Sequence, residues 1–243
     1  MNHEIIIGIH IPKTGGVTFK NILQKRYGKS LFYYINQSVS TPHAADKLCG
    51  VITNGDKIEW YGTKVIYGHF PYGLHEYIPR NIDYKYITFL RHPGDRLLSQ
   101  HNYLLAGKRT EISNFMVWFG YSSHFFGANF DNSLTRNLNG TLHINNYHGV
   151  PEKVSEEDYT LALENLKSCF FVGTTETFDD DIKILSKLLN WGYIGEYTNV
   201  NVSKVKKSFL DLCDNDKNYL YETQSFDFRL WEEAKKIHSN LIK

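Results

Sequence analysis

The apolar positions alternate between two periods. Glu4 to Ile11 (EIIIGIHI) is a short, Ile-dominated run ending at Pro12, which fits a buried strand and not a helix. The turn PKTGG follows. In the next run, VTFKNILQKRY, the residues Val17, Phe19, Ile22, Leu23 and Tyr27 recur at helical spacing. The order is strand, glycine turn, helix. It comes back further on: Lys64 to Tyr67 reads as a second strand ending at Gly68-His69, and Tyr84 to Leu90 (YKYITFL) as a third. Arg91-His92-Pro93-Gly94 then turns into a helix, with Pro93 near its start. That helix carries Leu97, Leu98, His101, Leu104 and Leu105 on one face, and Gly107 is its expected stop.

Residues 119–150 break the pattern. They mix Asn, Gly, His and aromatics with weak periodicity and read as a long, partly ordered excursion. Ser155 with Asp158 forms a capping-box pattern ahead of a helix that turns Tyr159, Ala162, Leu163 and Leu166 inward. A strand from Phe170 to Val172 follows. A helix from Phe178 to Leu189 comes next, with Asp179, Asp180 and Asp181 at its positive end, and a last helix spans Arg229 to Leu241. No repeat, low-complexity tract or linker interrupts the chain, so a single domain over residues 1–243 is expected. Strands alternating with helices predict an α/β fold: a central parallel sheet covered on both faces, three layers in all.

Composition narrows the function only by exclusion. The formal net charge is +1, so no global field draws the chain to nucleic acid or anionic lipid, and any anion site must be local. The fraction of hydrophobic residues is 42% and of charged residues 22%, ordinary for a folded protein. The 15% aromatic content, with 17 Tyr, fits sugar- or base-stacking surfaces and a Tyr-rich core equally well. Cys49, Cys169 and Cys213 are too few and too scattered for a disulfide framework or a structural zinc site. No apolar run approaches membrane-spanning length, and Met1 leads almost directly into a strand without a signal-like segment, so a cytoplasmic location is the default expectation, with a truncated lumenal chain the alternative.

Two strand-to-helix turns carry the candidate chemistry. Pro12-Lys13-Thr14-Gly15-Gly16 places a lysine and two glycines where free amides and the helix dipole favour an anion. It is no Walker A loop, because Pro12 and not Gly precedes Lys13. Alone, the turn fits a plain surface loop about as well. Arg91 to Ser99 (RHPGDRLLS) offers a guanidinium at a strand end and a hydroxyl two helical turns on; alone, Arg91 or Arg96 simply pairs with Asp95 or a neighbour. Taken together, the turns form two anion sites at two strand ends, which suits a nucleotide phosphorylated at both its 5′ and 3′ positions.

HIPKTGGVTF resembles the 5′-phosphosulfate loop of sulfotransferases that use 3′-phosphoadenosine 5′-phosphosulfate (PAPS), in the branch of heparan sulfate 2-O- and 6-O-sulfotransferases and their bacterial relatives. FLRHPGDRLLSQHNYL is similar to the same branch's 3′-phosphate motif. GHFPYGLH, DNSLTRNLNG, FFVGTTETFDDDIKIL and DFRLWEEA continue the likeness in the expected order over most of the chain. The resemblance implies a P-loop NTPase-like sulfotransferase fold, PAPS as co-substrate with PAP as product, and a hydroxyl-bearing acceptor, a glycan or glycoconjugate. It implies that Lys13 holds the phosphosulfate and neutralises charge on the leaving oxygen. Thr14, Gly15, Gly16, Val17 and Thr18 would supply backbone or hydroxyl donors, and Arg91 and Ser99 would hold the 3′-phosphate. Asn201-Val202-Ser203-Lys204, ahead of Lys206-Lys207, either closes over the nucleotide or is a solvated basic stretch.

Transfer to a hydroxyl calls for a base. His69 at a strand end is preferred over His75 in the following loop, with Glu76 third; Tyr72 and His75 are the residues to expect against the acceptor. His101 reads as core and His124 as surface loop. No metal is expected, since no HExxH pair occurs and the Asp run opens a helix. The competing readings are a P-loop-like nucleotide kinase, which would require magnesium ligands, and a non-catalytic nucleotide- or glycan-binding protein of the same fold.

Overall fold

The computed structural model describes residues 3–34, 60–126, 130–140, 153–198 and 207–241. Five strands form one sheet: β1 (Glu4–Ile9), β2 (Leu31–Tyr34), β3 (Val65–Gly68), β4 (Asp83–Leu90) and β5 (Phe171–Thr174). Their order is β2-β3-β1-β4-β5, and every pairing is parallel. β1 lies in the middle, with Ile9 opposite Gly68 on one side and Thr88 on the other. Its period-2 alternation feeds both faces: Ile5, Ile7 and Ile9 point to one core and Ile6 to the other.

The helices are α1 (Gly16–Tyr27), α2 (Pro93–Ala106), α3 (Phe115–Phe126), α4 (Ser133–Leu138), α5 (Glu156–Ser168), α6 (Phe178–Leu188), α7 (Asp214–Thr223) and α8 (Ser225–Leu241). Phe19, Ile22 and Leu23 of α1 and Phe178, Ile182 and Leu185 of α6 cover one face of the sheet. Leu134 and Leu138 of α4, Ala162 and Leu166 of α5, and Leu230, Trp231 and Ala234 of α8 cover the other. The expected three-layer α/β/α arrangement is therefore present. A third apolar cluster joins Leu97 and Leu98 of α2, Trp118 and Phe119 of α3, and Leu220 of α7.

The structure departs from the sequence pattern in several places. The four-residue edge strand β2 was too short to stand out, and α7, with only Leu220 fully buried, carries no clear apolar stripe. The excursion from 119 is not irregular where it is described: α3 runs through Phe126, and α4 occupies Ser133–Leu138 with all six residues buried. His124 accordingly lies on a helix and not in a surface loop. α8 begins at Ser225, a turn before the expected start. Val17, grouped with the inward residues, is 38% exposed at the opening of α1. Residues 127–129 and 141–150, Cys49 and the Asn201–Lys206 segment lie outside the described residues.

α4 owes its place to a reciprocal cap. The Asp227 carboxylate accepts from the amides of Leu134 (3.0 Å) and Thr135 (2.8 Å) and from the Thr135 hydroxyl (3.0 Å). Asn132, in the left-handed region, accepts in turn from the amides of Phe226 and Asp227 at 3.1 Å, capping α8. Gln224 ties the two together through the Asn132 amide and the Phe130 carbonyl. Burial raises the Asp227 carboxyl, while buried Arg96 and these donors pull it back down. Asp227→Ala would leave two amides and a hydroxyl buried without their acceptor and would remove the negative charge that balances buried Arg96. We expect urea denaturation to show a loss of about 3 kcal/mol or more.

Candidate active site

Parallel pairing brings every strand out at the same edge. His10 to Lys13 leave β1 there, His69 leaves β3, and Arg91 leaves β4. Because β1 lies between β3 and β4, the Lys13 turn has His69 on one side and Arg91 on the other.

The turn after β1 is built to expose backbone. Lys13 and Gly15 both take left-handed φ, 71° and 80°, which for Lys13 costs about 1 kcal/mol. Gly15 caps α1 without a side-chain bond, so the amides of the first turn keep their outward direction. A Cβ at Gly16 would sit 1.9 Å from His10 Nε2, which explains the second glycine: an imidazole edge fills that space. The Thr14 hydroxyl donates to the Ile11 carbonyl at 2.8 Å, which leaves its amide as the available donor.

Lys13 and Arg91 are adjacent cations. An Arg91 guanidinium nitrogen donates to the Lys13 carbonyl at 3.4 Å, and neither side chain forms an ion pair with a carboxylate among the described residues. Burial, then the Arg91 charge, lowers Lys13 to about 8. Arg91 is also lowered by burial, against the opposing pull of Asp95 and Glu176. Lys13 Nζ lies 4.0 Å from the centre of the Tyr103 ring, and Arg109 approaches the same ring at 5.4 Å. Sequence reading missed Tyr103 and Arg109. The available signal was that Tyr103 falls one turn after Ser99 on α2, on the same face.

The histidines separate. His69 Nδ1–H donates to the His10 carbonyl at 2.8 Å, so its neutral ring carries a lone pair on Nε2. Burial lowers its pKa, partly countered by that bond. His75 packs against Tyr84 and Tyr86, and Tyr72 stacks on Tyr86 at 4.3 Å. The Tyr86 hydroxyl accepts from the amides of Gly73 and His75, so its own proton goes to His75 Nδ1 at 3.1 Å. Tyr84 is the second residue of β4, seven residues before Arg91, about 23 Å along an extended strand. Tyr72 reaches Ser168, just ahead of β5. Tyr72 and His75, expected against the acceptor, therefore lie toward the opposite edge of the sheet and are not brought to this site; Glu76 is exposed on the same 3-10 turn. His101 is in the core, donating to the Ile112 carbonyl.

Gly94 and Asp95 of the second turn have packing and anchoring roles. Asp95 accepts from the Phe209 amide at 2.7 Å, and a Cβ on Gly94 would meet the Phe209 ring at 2.2 Å. Each acid of the Asp run has a protein partner: Asp179 takes the Tyr197 hydroxyl, Asp180 pairs with Lys183, and buried Asp181 binds the Thr174 amide, the Thr177 hydroxyl and His238. Gly16→Ala should cost about 1–3 kcal/mol, because the His10 ring must move, whereas Val17→Ala should stay within about 0.5 kcal/mol; thermal denaturation compares them.

The sequence profile described as "Sulfotransferase family" matches residues 2–232. Heparan-sulfate 6-O-sulfotransferase 3 of Mus musculus is 24% identical over 279 aligned residues, covering 96% of this chain and 57% of that protein. Heparan-sulfate 6-O-sulfotransferase 3-B of Danio rerio is 24% identical over 277, covering 96% and 64%. The chain thus spans about three-fifths of the length of these curated relatives. The crystal structure of a sulfotransferase from Alicyclobacillus acidocaldarius superposes with a TM-score of 0.51 at 12% identity, with 100% of both chains covered; the likeness is one of fold.

Proposed function

Because the chain belongs to the sulfotransferase family, we propose that it transfers a sulfuryl group from PAPS to a hydroxyl of an acceptor, with a carbohydrate as the acceptor class. The observation that carries the reading is the pair of cations Lys13 and Arg91, without carboxylate partners among the described residues, beside a histidine whose Nε2 is free to accept a proton. This donor set fits a nucleotide with phosphate at both ends. The first-turn amides of α1 and Lys13 would hold the phosphosulfate, and Arg91 with Ser99 the 3′-phosphate. The carbohydrate assignment rests on the distant heparan-sulfate 6-O-sulfotransferases alone.

In the proposed reaction the acceptor oxygen bonds to sulfur as the bond from sulfur to the bridging phosphate oxygen breaks. His69 Nε2 takes the hydroxyl proton, and Lys13 balances the charge left on the phosphate; the products are the sulfated acceptor and PAP. Lys13 is already in position, so its field costs little reorganisation. His69 is neutral at neutral pH because burial lowers its pKa, which leaves it ready as a base. His75, holding the Tyr86 proton on Nδ1, presents Nε2–H and has no comparable lone pair.

The Lys13 arrangement has a measurable consequence. Its pKa is about 8 in the free protein, and a bound phosphate raises it by favouring the charged form. Below that pH Lys13 already carries its proton; at about pH 8.5 PAP binding should take up a fraction of a proton. Calorimetry in buffers of different ionisation enthalpy reads this, and Lys13→Arg, which stays charged, should abolish it. Buffer-independent enthalpies would show that Lys13 is not at the phosphate.

A single-turnover transfer assay with PAPS and a panel of hydroxyl acceptors tests the reaction itself. His69→Ala should slow the chemical step by about two to four powers of ten, and His75→Ala should leave it within about threefold. The wild-type rate should fall as pH drops through a pKa below the ordinary histidine value. A slow step in His75→Ala with a normal one in His69→Ala would reverse the assignment.

A further inference from the structure

A buried polar atom without a partner needs a reason. His10 Nδ1 is such an atom among the described residues, on a side chain only 5% exposed. The ring stacks on Tyr67 at 5.2 Å and on His69 at 4.1 Å, with interplanar angles of 10° and 24°. Its Nε2 edge occupies the space a Gly16 side chain would need. Its amide donates to the Gly68 carbonyl, and its carbonyl accepts the His69 Nδ1 proton. The Tyr67 hydroxyl completes the cluster by donating to the Gly16 carbonyl at 3.1 Å. One residue thus touches the end of β3, the ring of His69 and the glycine turn ahead of α1.

These contacts require a neutral ring. Protonated, His10 would lie against His69 and near Lys13, with burial adding to the penalty; its pKa is accordingly far below the ordinary value. The charged and titratable groups bearing on the pair among the described residues are Lys13 from the turn after β1, Tyr67 from β3 and, beside Tyr67, Tyr33 from β2. A neutral π-face is also a favourable neighbour for the imidazolium that forms once His69 has taken a proton.

We propose that His10 is a positioning residue: a flat, neutral spacer that fixes the His69 ring at a set separation from the Gly16 turn, so that base and phosphosulfate cradle stay in register. The proposal rests on reading His69 as the base. It reaches beyond that reading by assigning the geometry to a side chain that touches no reactant.

The test is nitrogen-15 NMR of the histidine rings in the full chain, run beside single-turnover rates and PAP affinity. In the wild type, His69 should show the Nδ1–H tautomer, and His10 should stay neutral at pH values where free imidazole is already protonated. His10→Ala should move the His69 titration up toward the ordinary histidine value and slow the chemical step by about tenfold or more. PAP affinity in the same variant should hold within about threefold. His10→Phe, which keeps a flat neutral ring, should recover most of both losses. A His10 that titrates like free imidazole overturns the proposal. So do variants whose rates fall while the His69 titration stays at its wild-type position, since that marks simple structural damage. His69→Ala turning over at the wild-type rate would overturn the base reading instead, leaving the NMR result intact.

Discussion

The position of β1 is the constraint on which the rest depends. Its residues are paired on both sides in parallel, Ile9 with Gly68 and with Thr88, and its side chains enter both cores. A strand buried on both faces must be almost wholly apolar, and EIIIGI is. Gly8 is the exception that packing demands, since a Cβ there would meet the Tyr67 ring at 2.4 Å. Parallel pairing then sends β1, β3 and β4 out at one edge, so three residues distant in sequence, Lys13, His69 and Arg91, become neighbours without any long connection having to place them.

The edge is held rigid by interactions that carry no chemistry. Asp95 anchors Phe209, Asp181 ties β5 to α6 and α8, and Asn132 with Asp227 locks α4 against α8. Asp181, Asn132 and Asp227 are buried polar groups satisfied several times over, the arrangement in which a polar network adds rigidity and not strain. Several of the segments that carry the likeness to sulfotransferases, DNSLTRNLNG, FFVGTTETFDDDIKIL and DFRLWEEA, are accounted for by these caps. Lys13 and Arg91 are the contrast: close together, half-buried, and in no ion pair with an acid among the described residues.

Much of this was legible in the chain. The apolar runs of β1 and β4, the Ser155–Asp158 box and the Pro93 start are local signals, and local signals survive into the structure. The strand-end histidine and the two basic turns follow from the same reading. What the sequence hid depends on tertiary contact. β2 is four residues long, and α4 is held by Asp227, which lies about ninety positions away. His75 stood second to His69 as a candidate base, and only the contact between its Nδ1 and the Tyr86 hydroxyl separates the two chemically; His10 was simply the next residue in an apolar run until its ring proved to lie against His69 and Gly16. Tyr103 escaped because its spacing places it on the Ser99 face of α2 but gives no sign that Lys13, ninety positions earlier, lies over its ring.

The account stands on two separate anion sites at one sheet edge, and nucleotide discrimination measures that most directly. Calorimetric titration of the protein with PAP, ADP and AMP should rank PAP well above both others, by about tenfold or more. Arg91→Ala should bring PAP down toward ADP while leaving ADP nearly unchanged. Equal affinities for PAP and ADP in the wild type, or an Arg91→Ala loss shared equally by both, would contradict the assignment of a second phosphate to the end of β4.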